Sequence, residues 1–121
     1  RYVSKPVWQK DSQCHHRAVA DVAAVADPDT GVAVYNSYES YGSNWTVDGG
    51  TSVSAPIIAA VYALAGNAAR INGAYLYSHA TDLNDITSGN NGTCAISYLC
   101  TSRQGYDGLT GLGTPHGIGA F

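Results

Sequence analysis

Between the glycine pair Gly49-Gly50 and Gly66 runs a stretch that is strongly apolar from Ala55 to Ala65. Helix-forming residues dominate it, and Gly66 supplies a stop signal. A helix that is apolar on nearly every face belongs in an interior and not on a surface. The stretch is far short of the roughly 20 residues that a membrane span requires. The chain is therefore expected to build a globular core around a helix that runs to about Ala65.

The bulk numbers agree with that expectation. A chain of 121 residues is long enough for one modest domain, and 45% apolar against 12% charged residues is a globular balance with a lightly charged surface. A formal net charge of -3 with no cluster of Lys and Arg argues against a nucleic-acid partner. The chain begins at Arg1, contains no Met and has no signal-peptide pattern, so it is expected to be part of a longer polypeptide.

Three cysteines leave one over. Cys94 and Cys100 stand close together in a Gly-, Asn- and Thr-rich stretch, which suits a small disulfide loop, and Cys14 then lacks a partner on this chain. The alternative is three reduced thiols in a cytosolic chain. The composition looks extracellular, and disulfides follow oxidising compartments, so the expectation is a secreted protein. Two sequons, Asn44-Trp45-Thr46 and Asn91-Gly92-Thr93, matter only in a eukaryotic secretory pathway.

Along the chain, Ala20 to Ala26 reads as a buried strand, Asp27-Pro28-Asp29-Thr30-Gly31 as a dense turn, and Val32 to Tyr35 as a returning strand. Residues 20 to 37 thus predict a hairpin. Ser37 to Ser43 is loop-like, and Trp45-Thr46-Val47 is a candidate short strand. A second helical piece is expected over Ala74 to His79 and a strand over Asp82 to Ile86. Thr87 to Gly113 reads as one long loop, and ordered loops of that length usually have a functional or ligand-based reason to hold their shape.

Chemistry concentrates at Gly49-Gly50-Thr51-Ser52-Val53-Ser54-Ala55-Pro56. The glycines permit a tight backbone approach. A Ser just after them, opening a helix, presents its hydroxyl where backbone N–H groups are unpaired and negative charge is favoured. Acyl transfer needs such a place, because charge builds on the substrate carbonyl oxygen. The bland alternative is that Thr51, Ser52 or Ser54 merely caps the helix.

Gly-Thr-Ser with Pro four residues after the Ser resembles the nucleophile segment shared by subtilisins and sedolisins, the serine-carboxyl peptidases. The flanks are similar to sedolisins in particular. Ala20 through Val32 resembles the segment upstream of the sedolisin serine. Asp85-Ile86-Thr87-Ser88-Gly89-Asn90-Asn91-Gly92, Gly105-Tyr106-Asp107 and Thr110-Gly111-Leu112-Gly113-Thr114-Pro115 resemble the sedolisin C-terminal calcium segment. The likeness runs over essentially the whole chain. It implies an α/β fold with a subtilisin-like parallel sheet and flanking helices, of which residues 1–121 form the C-terminal part.

The resemblance further implies that Ser52 is the nucleophile, in an active-site loop of Gly50, Thr51 and Ser52 whose Ser52 N–H is one oxyanion donor. The Glu base, its supporting Asp and the oxyanion Asp of the family lie upstream, so the preceding part of the same domain is an implied partner and a polypeptide the implied substrate. A structural Ca²⁺ is implied at Asp85, the Ile86 carbonyl, the Gly105 carbonyl and Asp107. The Arg103 carbonyl is a further candidate, although a cation beside calcium is unfavourable unless the side chain points away. Ala20 and Tyr106 depart from the family's usual Pro and Trp.

The remaining polar residues have plainer readings. Asp27 and Asp29 belong to a turn, and Asp21 and Asp48 gain no catalytic role from the resemblance. His15-His16, His79 and His116 lack a zinc-ligand spacing. Two rivals remain: a subtilisin-type Asp-His-Ser peptidase, and a non-catalytic extracellular scaffold.

Overall fold

The computed structural model describes residues 2–38, 44–69 and 72–121. Helix α1 spans Thr51–Ala65, and Gly66 ends it at φ +70°, with its N–H donating to the Tyr62 carbonyl. The apolar run and its glycine stop thus appear as expected. Burial does not. No α1 residue is buried, and the more exposed positions (Thr51, Ser52, Ala55, Pro56, Ala59, Ala60, Ala63 and Leu64) recur at helical spacing. The described residues cover only one side of a helix that is apolar all round.

The chain divides into two compact units. In the unit Ala24–Ala60, strand β1 (Val32–Tyr35) pairs antiparallel with β2 (Trp45–Asp48), in the register Val32↔Asp48 to Tyr35↔Trp45. A cross-strand edge contact between the Tyr35 and Trp45 rings, 5.1 Å apart, supports this pair. The candidate strand at Trp45–Val47 is therefore real.

The hairpin expected over residues 20–37 is not formed. Residues 22–27 belong to no strand and carry no ladder. The Ala26 carbonyl accepts from the Gly50 N–H and the Val25 carbonyl from the Ser54 hydroxyl, so this segment faces the start of α1 instead of β1. The turn signal itself is right, but Asp27 closes it with its side chain, accepting from the Asp29 N–H and the Thr30 hydroxyl. The expected loop at Ser37–Ser43 falls largely on residues 39–43, which lie outside the described residues.

The other unit comprises residues 1–23 and 61–121. Helix α2 covers Gly73–Ser78, capped by the Asn72 side chain on the Ala74 N–H. A two-residue strand β3 (Leu83–Asn84) pairs antiparallel with β4 (Thr114–Pro115). The core gathers Ala18, Leu76, Leu83, Tyr98, Ala120 and Phe121, with the Tyr62 ring set edge-on to Phe121 at 5.0 Å. The segment Thr110–Gly113 is laced to Asp21–Ala23: the Leu112 N–H meets the Asp21 carbonyl and the Ala23 N–H meets the Gly113 carbonyl, both at 2.9 Å.

Both ladders among the described residues are antiparallel. The parallel sheet implied by the family likeness is not seen in them. A parallel strand needs a neighbour reached by a long crossover, and the segment at residues 22–27 pairs with no such neighbour among the described residues. Among the described residues no helix is long and apolar enough to cross a membrane.

Candidate active site

The turn before α1 is built by two glycines with different duties. Gly50 has φ +88°, a region that side chains resist. Gly49 packs so closely that a Cβ there would lie 2.5 Å from the Pro28 Cα. Together they bring the chain tightly past Pro28 and turn it into the helix. The Gly50 carbonyl then accepts from the Val53 and Ser54 N–H groups, leaving the Thr51 and Ser52 N–H groups without a partner among the described residues.

The two serines in the first turn and a half differ in state. The Ser54 hydroxyl donates to the Val25 carbonyl at 2.8 Å, with the Ala24 carbonyl at 3.3 Å. The Ser52 side chain is exposed and has no hydrogen-bond partner among the described residues. Neither Ser52 nor Thr51 caps the helix; the Gly50 backbone opens it. Pro56, lacking an N–H, also frees the Ser52 carbonyl from its i+4 donor. The arrangement is an exposed hydroxyl at a helix start beside two free N–H donors, which suits attack on a carbonyl and stabilisation of the resulting oxyanion. No local signal marks this tether, because a helical Ser ordinarily bonds back to its own turn.

No histidine belongs to the unit that carries Ser52. Two of its described carboxylates, Asp27 and Asp48, already accept hydrogen bonds from nearby residues. Asp27 is held below the usual carboxylate range by the Thr30 hydroxyl and the Asp29 N–H. Asp48 receives the Thr46 hydroxyl at 3.3 Å. In the other unit, Asp21 is bound by Arg17 and by the Tyr77 hydroxyl.

The two carboxylates expected at the metal both reach the segment 103–105. Asp85 Oδ2 accepts the Gly105 N–H at 2.7 Å, and Asp107 Oδ2 accepts the Arg103 N–H at 3.0 Å. Asp107 is fully buried, and its Oδ1 takes the Leu109 N–H, the Thr110 N–H and the Thr110 hydroxyl. Asp107 thus organises the loop whatever else it does. Gly105, at φ +76°, turns its N–H toward Asp85. The carbonyls of Ile86, Arg103 and Gly105 accept no hydrogen bond among the described residues. With the unpartnered Asp85 Oδ1 they are oxygen donors of the hard kind that calcium takes. The Arg103 guanidinium lies over the Tyr98 ring at 4.9 Å and pairs with neither carboxylate. Among the described residues no three His, Cys, Asp or Glu side chains gather as a metal cluster.

Cys94 and Cys100 are bridged, with Cα atoms 5.8 Å apart, and Cys14 is free. A loop this short is stabilised by about 2 kcal/mol on chain-entropy grounds, so its main effect is to shape the loop.

No family model matches the chain. It is 35% identical over 108 residues to tripeptidyl-peptidase sed1 of Aspergillus fumigatus, covering 83% of this chain and 15% of that protein. It is 38% identical over 107 residues to kumamolisin of a Bacillus species, covering 84% and 18%, and 37% identical over 108 residues to aorsin of Aspergillus oryzae, covering 83% and 15%. The chain thus spans less than a fifth of the length of these curated relatives. Bacterial and fungal relatives agree over the same share of the chain, and on that agreement it belongs to the sedolisin family of peptidases.

Proposed function

We propose that this chain forms the C-terminal part of a sedolisin-type serine endopeptidase domain and supplies its nucleophile, Ser52. The observation that carries the reading is the contrast in the first turn of α1: Ser54 is tethered while Ser52 is exposed and unengaged beside two free N–H groups. Ser52 Oγ attacks the peptide carbonyl, the Ser52 N–H receives the developing oxyanion, and water then hydrolyses the acyl-enzyme. The base that takes the Ser52 proton is a carboxylate from the preceding part of the same domain, as the family likeness implies, and substrates are polypeptides.

Asp85, Asp107 and the carbonyls of Ile86 and Gly105 hold a structural Ca²⁺, joined by the carbonyl of Arg103. When bound, the ion supplies charge that fixes the 85–107 loop and takes no part in bond cleavage. Secretion accords with the Cys94–Cys100 bridge, since such bonds persist in oxidising compartments.

The test is a pH–rate profile of the full-length parent and its Ser52→Ala variant. A carboxylate base operates near its own pKa, about 4.3 for an unperturbed Glu, whereas a His base needs pH above roughly 6.5. Acid activity abolished by Ser52→Ala is expected. A neutral or alkaline optimum supports the subtilisin-type rival, and activity unaffected by Ser52→Ala removes the nucleophile assignment.

A further inference from the structure

Of the two sequons in the chain, one is built into a strand pair and the other stands open. In Asn44-Trp45-Thr46, Trp45 and Thr46 are the first residues of β2 and pair with β1. The Asn44 side-chain amide donates to the Tyr35 hydroxyl at 3.0 Å, and its main-chain carbonyl accepts the Asn36 N–H at 2.8 Å. The Thr46 hydroxyl lies 3.4 Å from the Val34 carbonyl and 3.3 Å from Asp48 Oδ2. Both side chains that define this sequon are therefore engaged.

Asn91-Gly92-Thr93 is the opposite case. All three residues are exposed and belong to no helix or strand. The backbone beneath them is held: the Asn91 N–H donates to the Cys100 carbonyl at 3.1 Å, Asn90 bridges to Thr101, and Cys94–Cys100 closes the loop. The side chains of Asn91 and Thr93 make no hydrogen bond among the described residues. Around them is open space, since a Cβ on Gly89 or Gly92 would meet nothing within 4 Å.

We propose that Asn91 is the N-glycosylation site of this chain in a eukaryotic secretory pathway, and that Asn44 is not. The proposal rests on the secretion proposed above. Its co-reactant is an oligosaccharide joined through a diphosphate to a polyprenyl lipid, presented by a transferase of the secretory lumen. Asn91 Nδ2 attacks the anomeric carbon of the first sugar, so an N–C bond forms and the C–O bond to the diphosphate breaks. The lipid diphosphate leaves with the electron pair, and Nδ2 gives up one proton. Thr93 supplies the hydroxyl that the sequon requires two residues after the acceptor.

A glycan is bulky and belongs on a surface, with room around the amide that carries it. Asn91 meets that condition. At Asn44 the sugar would crowd the Tyr35 hydroxyl and the edge contact between the Tyr35 and Trp45 rings. Folding order favours the same site. Hairpins close in about 1–10 μs, whereas disulfides form over seconds or longer, so the Asn91 loop stays open to the transferase after β1 and β2 have paired.

The experiment expresses the full-length parent in a fungal host behind a host signal sequence. Peptides carrying Asn44 and Asn91 are mapped from the secreted protein after an endoglycosidase has trimmed each glycan to one N-acetylglucosamine. The expected result is that sugar on the Asn91 peptide and an unmodified Asn44 peptide. Thr93→Ala should remove the sugar although Asn91 itself remains, and Thr93→Ser should keep it. Thr93 is exposed and unbonded among the described residues, so neither change should disturb folding. A bare Asn91 in the unaltered parent, a sugar that persists in Thr93→Ala, or Asn44 modified as fully as Asn91 would each overturn the proposal. The parent expressed from its own gene without the host signal tests secretion by itself, so the two readings fail separately.

Discussion

The Ser54 hydroxyl donates to the Val25 carbonyl at 2.8 Å, pinning the first turn of α1 to the segment before the 27–31 turn. The first turn is thereby anchored without using Ser52. Of two serines two residues apart, one is tied into the structure and the other is left unbonded among the described residues, and that contrast is measurable.

Ser54→Ala should destabilise the chain by about 1 kcal/mol, the usual net worth of one hydrogen bond. Ser52→Ala removes an exposed, unbonded hydroxyl and should change stability by less than about 0.5 kcal/mol. Urea unfolding of the two variants checks the contrast. Equal losses would mean that Ser52 is also structural.

The turn before the helix should tolerate no side chain. Gly50→Ala forces φ +88° on a residue with a Cβ, a cost of about 1–2 kcal/mol. Gly49→Ala should cost more, because its Cβ meets backbone atoms of Pro28 at 2.5 Å and backbone cannot step aside. Denaturant midpoints ranked wild type, Gly50→Ala, Gly49→Ala from most to least stable are the expected outcome.

For the ion, Asp85 is the cleaner probe. Asp107 is buried under four hydrogen bonds, so altering it damages the loop with or without calcium. Asp85 is exposed and accepts only the Gly105 N–H. Calcium at 100 times its Kd should stabilise the fold by about 2.7 kcal/mol by linkage, and chelation should lower Tm accordingly. Asp85→Asn should abolish that response with only a small loss in apo stability. A Tm indifferent to both calcium and chelator would argue against the site.

Alkaline pH should unfold the larger unit through Tyr77. Burial, then the hydrogen bond to Asp21, pushes its hydroxyl up to about 12 from the usual 10.0. The unfolded chain loses this proton first, so the stabilisation is complete below pH 10 and is lost as pH rises toward 12. Tyr77 is only half-buried, and solvent screening reduces the effect to about 1 kcal/mol. Tyr77→Phe should flatten the stability profile between these limits, measured by urea midpoints at successive pH values.

The isolated 121-residue chain should not cleave casein. Nucleophile and base act as a unit, and the Ser52 hydroxyl has no base bonded to it among the described residues. Cleavage that disappears in Ser52→Ala would show that the chain holds its own base.

Local signals in the amino-acid sequence were enough for α1 and its end at Gly66, the turn at residues 27–31, the short strand at Trp45–Val47, the second helix and the Cys94–Cys100 bridge. Each depends on neighbours a few residues apart: an apolar run, a glycine, an Asx turn, two cysteines in one loop. The place of Ser52 in the first turn of α1 was legible for the same reason, since two glycines followed by Thr51 and Ser52 ahead of an apolar run are a local pattern. Pairing was not. The Ala24, Val25 and Ala26 carbonyls had two possible claimants, β1 across the turn or the start of α1 some 25 residues on, and hydrophobic pattern cannot choose between them. Only the tertiary structure assigned those carbonyls to Gly50 and Ser54 and left β1 to pair with β2. It likewise brought Trp8 and Asp11 to a common cleft with Tyr77 and Tyr106, residues some 70 to 100 positions away. Contacts of that separation are set by how whole segments pack, and no local propensity encodes them.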